Sequence, residues 1–154
     1  MVSTIVVALD GSDASERTLP VLRKLAPPDG VRLEIVHVRE LLVGRASGPK
    51  RLDEDEMIKR VKARSAELAK AGYDTNMYIE KTTGQPAHVI AELAKKSGAD
   101  LIITGTRGHG PVAGLLLGSV TTRLLVVAPC PVVVVPSTTV SDSEQPEVAS
   151  AARA

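Results

Sequence analysis

Ile5-Val6-Val7-Ala8-Leu9-Asp10-Gly11-Ser12 stands near the start of the chain, and Leu101-Ile102-Ile103-Thr104-Gly105 repeats its pattern late in the sequence. Each is a short, mostly aliphatic run that stops at a glycine turn, too short for a helix and without polar alternation. A strand that is apolar at nearly every residue is covered on both faces, which marks a central strand of a parallel sheet. Three more strands fit around these two. Val31–Val38 follows the Pro27-Pro28-Asp29-Gly30 turn, Tyr73–Thr82 is more polar, and Val132–Val135 lies between Pro131 and Pro136.

Helical patterns alternate with the strands. Ser12 or Asp13 caps a first helix, with Asp13 and Glu16 at capping-box spacing. Leu19, Leu22 and Leu25 supply its stripe, and Pro20 is expected to kink or shorten it. Residues 40–51 have two glycines, a proline and no periodicity, so they read as a mobile loop. Leu52–Ala71 is a charge-dense helix with Met57, Val61 and Leu68 inward. Asp55/Lys59 and Glu56/Arg60 fall at i,i+4, and the acids Asp53 to Glu56 complement the helix dipole. Pro86 opens a helix with Val89, Ile90, Leu93 and Ala94 as its stripe, ended by Gly98. Ser119–Val127 is a short helix. Residues 137–154 lack an apolar period and read as a disordered tail on a domain of residues 1–136.

The order is βαβαβαβαβ. It predicts one α/β domain, a doubly wound sandwich with a five-stranded parallel sheet of order 3-2-1-4-5 and helices on both faces. The winding reverses between strands 1 and 4. Ligands of such sheets sit beyond the C-terminal strand ends at that reversal. Topology alone therefore nominates Asp10-Gly11-Ser12 and the loop that opens at Gly105.

Composition narrows the chemistry. The 154 residues are 44% hydrophobic and 24% charged, with a net charge of +1. That balance supplies no strong field for nucleic acid or an anionic membrane. One Cys excludes an intrachain disulfide. With no Trp or Phe, and only Tyr73 and Tyr78, neither a stacking platform nor an aromatic-lined pocket is available. Neither the short N-terminal apolar run nor the interrupted stretch Leu115–Val127 matches a signal peptide or a span, so a cytoplasmic protein is expected. His37, His88 and His109 have no metal-ligand spacing. His37 reads as a core or rim residue, His88 as surface, His109 as a solvated loop residue, and Cys130 as a small buried hydrophobe.

The loop from Gly105 to Gly118 carries the chemistry. Glycines let a backbone approach a ligand closely. The helix that begins at Ser119 offers free N–H groups and a positive dipole end to an anion. Ser119 could cap that helix or reach a phosphate, and Arg107 is the loop's one fixed charge. There is no Gly-Lys-Ser or Gly-Lys-Thr, no G-x-G-x-x-G after the first strand and no G-x-S-x-G. These absences argue against a Walker loop, a dinucleotide fold and a serine hydrolase.

Gly105 and Gly108 are separated by two residues, Gly108 and Gly118 by nine, and Ser119 follows directly. This resembles the G-2x-G-9x-G(S/T) signature of the ATP-binding branch of the universal stress protein family. The first strand and its turn, Val36-His37-Val38, the Gly98–Gly108 segment and Ser119–Val135 resemble the corresponding parts of that family. The likeness spans about residues 2–136. It implies that Asp10, flanked by Ala8, Gly11 and Ser12, meets the nucleoside. It also implies that the Val38 backbone reads the adenine edge, and that Gly105, Thr106, Arg107, Gly108, Gly118, Ser119, Val120 and Thr121 hold the phosphates. ATP with Mg carried mainly on its phosphates is the implied cofactor, and a homodimer through Val132–Val135 the implied assembly. No catalytic residue and no protein metal ligand is assigned, because no general base faces a γ-phosphate. A cytoplasmic nucleotide-responsive stress regulator is expected, with at most slow hydrolysis or autophosphorylation. The alternative is a dimeric scaffold or chaperone-like protein in which nucleotide is incidental.

Overall fold

The computed structural model describes residues 1–41, 54–106 and 117–137. In chain order the elements are β1 (Thr4–Ala8), α1 (Asp13–Glu16), α2 (Thr18–Leu25), β2 (Arg32–Glu40), α3 (Glu54–Lys70), β3 (Asp74–Thr82), α4 (Pro86–Ser97), β4 (Leu101–Gly105), α5 (Ser119–Val127) and β5 (Val132–Val135). The strands form one parallel sheet in the order β3-β2-β1-β4-β5. This is the fold class and strand order that the sequence predicts.

β1 is covered on both faces. Ile5 and Val7 join Leu19, Leu22, Val61 and Leu68 in a core under α2 and α3. Val6 points the other way and joins Ala87, Ile90, Ala94 and Leu124 under α4 and α5. Each fully buried Leu or Ile contributes about 1.5–3 kcal/mol. The ion pairs between α2 and α3 contribute less. Arg23–Glu67 is 2.6 Å long but leaves both side chains more than 40% exposed, and such pairs are worth about 0–1 kcal/mol. Burial therefore holds α2 and α3 to the sheet, while Arg23 reaches across from α2 to Glu67 and Arg64 joins the same carboxylate from within α3. Among the described residues, no helix is long and apolar enough to cross a membrane.

Several local expectations change. Of the two outcomes expected of Pro20, the first helix is shortened, and it is broken in two rather than kinked. Pro20 cannot donate to the Glu16 carbonyl four residues back, and its ring would crowd that carbonyl. The chain accordingly turns at Arg17, giving a four-residue α1 and an eight-residue α2. The restart rotates the stripe, so Thr18, Leu19 and Leu22 are buried and Leu25 is 52% exposed. Ser12 is the α1 cap, accepting from the Ser15 amide at 3.1 Å. On α3, Arg60 reaches across to Asp13 at 3.4 Å, and Lys59 lies 4.0 Å from Glu56. On α4 the buried residues are Ala87, Ile90, Ala91 and Ala94, with Val89 and Leu93 half-buried. Cys130 is also half-buried. β2 continues to Glu40, two residues past its expected end. The loop expected over 40–51 falls largely outside the described residues, as does nearly all of the expected tail.

Two features generate tests. Gly11 has φ +78°, and a Cβ placed there would lie 2.8 Å from the Met57 backbone on α3. Gly11→Ala is expected to lower the unfolding free energy by about 3 kcal/mol or more; an unchanged urea midpoint would refute this packing. At the other end of the sheet, Asp100 Oδ2 accepts from the Ser3 and Thr4 amides at 2.8 and 3.0 Å and from Ser3 Oγ at 3.1 Å. The Ser3 amide, then the Thr4 amide, hold this carboxyl below the usual carboxylate range. A depressed carboxyl stabilises the fold above its unfolded value, about 3.9, and that stability is lost as pH falls through the lower folded value. Asp100→Asn is expected to show a flatter decline of Tm below about pH 4 than the parent chain. Parallel declines would show that these bonds contribute no pH dependence.

Candidate functional site

β1 lies between β2 and β4, and the crossovers leave it in opposite directions. The chain therefore turns away from the sheet at Asp10-Gly11-Ser12 on one side and at Gly105-Thr106 on the other. The turn after β1 is held internally. Asp10 Oδ1 accepts from the Ser12 amide at 2.9 Å and the Ser12 hydroxyl at 2.5 Å. On the α3 side, the Arg60 guanidinium donates to the Gly11 carbonyl at 3.4 Å.

The Gly105 side is closed by hydrogen bonds between its ends. The Thr106 amide donates to Val135 O at 2.9 Å, and the Gly118 amide donates to Thr106 O at 2.6 Å. The Thr106 hydroxyl accepts from the Ser137 amide at 3.0 Å. Thr121, which is buried, donates its hydroxyl to Gly105 O at 2.8 Å, tying the first turn of α5 to the end of β4. The cap of α5 is Gly118, with no side-chain cap bond, so Ser119 is the first helical residue rather than the cap. The first backbone bond of α5 runs from the Thr122 amide to Gly118 O at 2.9 Å. The amides of Ser119, Val120 and Thr121 thus precede the first intrahelical bond, and the helix dipole adds positive potential there. Ser119 is exposed and Val120 half-buried.

Val38 is placed by strand alternation. The Leu9 amide donates to Val36 O at 3.0 Å, so Val36 faces β1. The Leu41 amide donates to Thr82 O at 2.7 Å, so odd-numbered residues at this end of β2 face β3. Val38 shares the orientation of Val36. β1 pairs with β2 only as far as Ala8↔Val36, so the Val38 N–H and C=O point past the end of β1 toward the reversal. Ala8 is half-exposed at that end.

Of the sequence candidates, Ala8, Asp10, Gly11, Ser12 and Val38 border the β1–β2 side. Gly105, Thr106, Gly118, Ser119, Val120 and Thr121 border the β4–α5 side. Arg107 and Gly108, with His109, lie outside the described residues. Thr121 has its hydroxyl proton committed to Gly105. Sequence reasoning missed a charged cluster beside Val38. Glu54, the first residue of α3, pairs with Arg39 at 2.9 Å and lies 3.9 Å from His37 Nε2. The acid run was visible, but its spacing could not show which acid meets the end of β2. Among the described residues, no cluster of three or more His, Cys, Asp or Glu could hold a metal ion.

The sequence model of the universal stress protein family matches residues 1–136. A Thermus aquaticus universal stress protein, named for its place in the QAH/OAS sulfhydrylase 3' region, is 34% identical over 142 residues. The match covers 88% of this chain and 99% of that protein. Among solved structures, a universal stress protein in complex with cAMP is 25% identical. It covers 89% of this chain and 98% of its own, with a TM-score of 0.62. A universal stress protein family protein from Arabidopsis thaliana, solved with AMP bound, is 17% identical. It covers 95% and 97% of the two chains with a TM-score of 0.63, a likeness of fold. A family match over nearly all of the described fold, and a relative this similar along almost its whole length, place this chain in the universal stress protein family.

Proposed function

We propose that this protein binds an adenine nucleotide, ATP with magnesium held mainly on its phosphates, across the reversal of the sheet. It then acts in the cytoplasm as a nucleotide-responsive stress regulator with at most slow hydrolysis. The observation that carries this reading is the start of α5. Its first-turn amides lack a side-chain cap and stand beside a loop whose ends are clasped through Thr106 and Gly118. Backbone amides at a helix start suit a phosphate chain. The Val38 backbone suits an adenine edge, and Asp10 lies between the two regions. The cAMP complex of a related protein supports the same ligand class. Neither aromatic rings nor a lysine cluster is needed for binding of this kind.

Calorimetric titration of the purified chain with ATP and magnesium is expected to give saturable binding well below millimolar. No binding below about 1 mM would overturn the reading. Gly118→Leu, which puts bulk at the cap facing the phosphates, is expected to abolish binding; an unaltered affinity would remove the loop from the site.

The edge of the sheet favours a dimer as the working unit. β5 ends the sheet beyond β4, and Leu125 and Val126 on the neighbouring α5 are 50% and 75% exposed. Unprotected edge strands invite pairing. The Ile102 and Thr106 amides donate to the carbonyls of Pro131 and Val135, so by alternation Val132 and Val134 turn their backbone groups outward. Val134→Pro therefore removes an outward N–H while leaving the β4 ladder intact. Light scattering is expected to show a dimer for the parent chain and a monomer for this variant. A concentration-independent monomer in the parent would count against the dimer.

A further inference from the structure

His37 sits on β2 beside Val38, and its side chain is 7% exposed. Nδ1 lies 3.0 Å from the Leu9 carbonyl. A carbonyl only accepts, so Nδ1 carries a hydrogen. In the neutral ring that leaves Nε2 as a bare lone pair. Nε2 is buried and has no hydrogen-bond partner among the described residues. It faces Glu54 Oε1 at 3.9 Å, an arrangement of acceptor against acceptor that makes no bond. The Leu9 contact therefore specifies the Nδ1–H tautomer of the neutral ring, and Nε2 makes no hydrogen bond that opposes it.

The carbonyl that the ring takes is the next one in the β1–β2 ladder. The Leu9 amide already donates to Val36 O. In a parallel ladder the following rung would run from the Val38 N–H to Leu9 O. Pairing instead stops at Ala8↔Val36. We propose that His37 is a positioning residue that ends this ladder one rung early, occupying the Leu9 carbonyl through Nδ1–H so that the Val38 N–H and C=O stay turned to the reversal, where they set adenine specificity. This rests on the nucleotide reading for its ligand, whereas the ladder termination itself does not. Arg39 and Glu54, paired at 2.9 Å, hold the α3 end against the same strand end. Neither Arg39 nor Glu54 has a hydrogen bond to the Leu9 carbonyl among the described residues.

The tests use the full chain. Nitrogen-15 NMR of His37 at neutral pH is expected to report the Nδ1–H tautomer, and an Nε2–H tautomer would overturn the proposal. In His37→Leu the Leu9 carbonyl becomes available to the Val38 N–H. Hydrogen exchange at the Val38 amide in the nucleotide-free protein is expected to slow at least about ten-fold. The preference for ATP over GTP is expected to fall by about ten-fold. His37→Asn, whose side-chain amide can replace the Nδ1 donor, is expected to keep both properties near the parent values. Unchanged exchange and selectivity in His37→Leu would overturn the proposal, as would a His37→Asn variant that behaves like the leucine variant. If the parent chain binds no nucleotide, the function proposed above fails, while the tautomer and the Val38 exchange still decide the role of His37.

Discussion

Burial of β1 on both faces, with β2 on one side and β4 on the other, is the constraint on which the rest of this molecule depends. Ile5, Val6 and Val7 are fully buried, and each face requires its own helical layer. Two helical segments from the first crossover half, α2 and α3, close one face. Two from the second, α4 and α5, close the other. Because the two halves wind away from β1 in opposite directions, their connections cannot both lie over its C-terminal end. A crevice at the reversal is thus what this topology is expected to leave once both cores are filled.

The lining of the crevice follows from what the chain lacks. A near-neutral, aromatic-poor sequence cannot hold a polyanionic nucleotide by charge or by stacking. It can do so with main-chain groups, provided that these are kept from pairing with one another. Each border of the crevice shows such a device. At α5, Gly118 caps without a side chain, so the first-turn amides are not consumed by a local hydroxyl. The Thr121 hydroxyl is committed to Gly105 O. At β2, the His37 ring takes the carbonyl that would otherwise draw in the Val38 amide. In all three cases a side chain, or the absence of one, determines where a backbone hydrogen bond stops.

The sequence makes the architecture legible because strand burial and turn chemistry are local. Uninterrupted apolar runs identify β1 and β4, and the polar character of β3 places it at an edge. What escaped reading depends on longer range or finer register. Pro20 signalled a disturbance, but the break at Arg17 follows from the geometry of its i−4 carbonyl, which also turned Leu25 out to solvent. Arg60 looked like the partner of Glu56 on its own helix, yet it pairs with Asp13, 47 residues away. Glu34 is buried on β2, where Asn76 donates to it at 3.3 Å. The nearby Glu34 carboxylate, with burial adding to it, raises the pKa of the neighbouring Tyr78 hydroxyl. Asn76 meets only Glu34 Oε1, and Oε2 has no hydrogen-bond partner among the described residues, an arrangement that no periodicity reveals in advance. On the site, the strand order nominates the Asp10 turn and the Gly105 loop, and Val38 is named only through the family resemblance, whereas the cluster of His37, Arg39 and Glu54 joins two elements that only the fold brings together.

That cluster bears on how a binding signal could leave the site. α3 touches both strand ends at the β1–β2 border. Its Met57 backbone packs against Gly11, its Arg60 bonds the Gly11 carbonyl, and its Glu54 pairs with Arg39 next to Val38. These contacts differ in strength. The Gly11 packing leaves no room even for a methyl group, whereas Arg60 and Arg39 are 42% and 37% exposed and their ion pairs are correspondingly weak. A ligand that shifts the Asp10 turn or the end of β2 therefore acts on α3 chiefly through steric contact, with the ion pairs free to rearrange at little cost. Rigid packing of this type passes on small displacements without storing them. If the proposed nucleotide binds at this border, α3 is therefore the element in direct steric contact with the Asp10 turn.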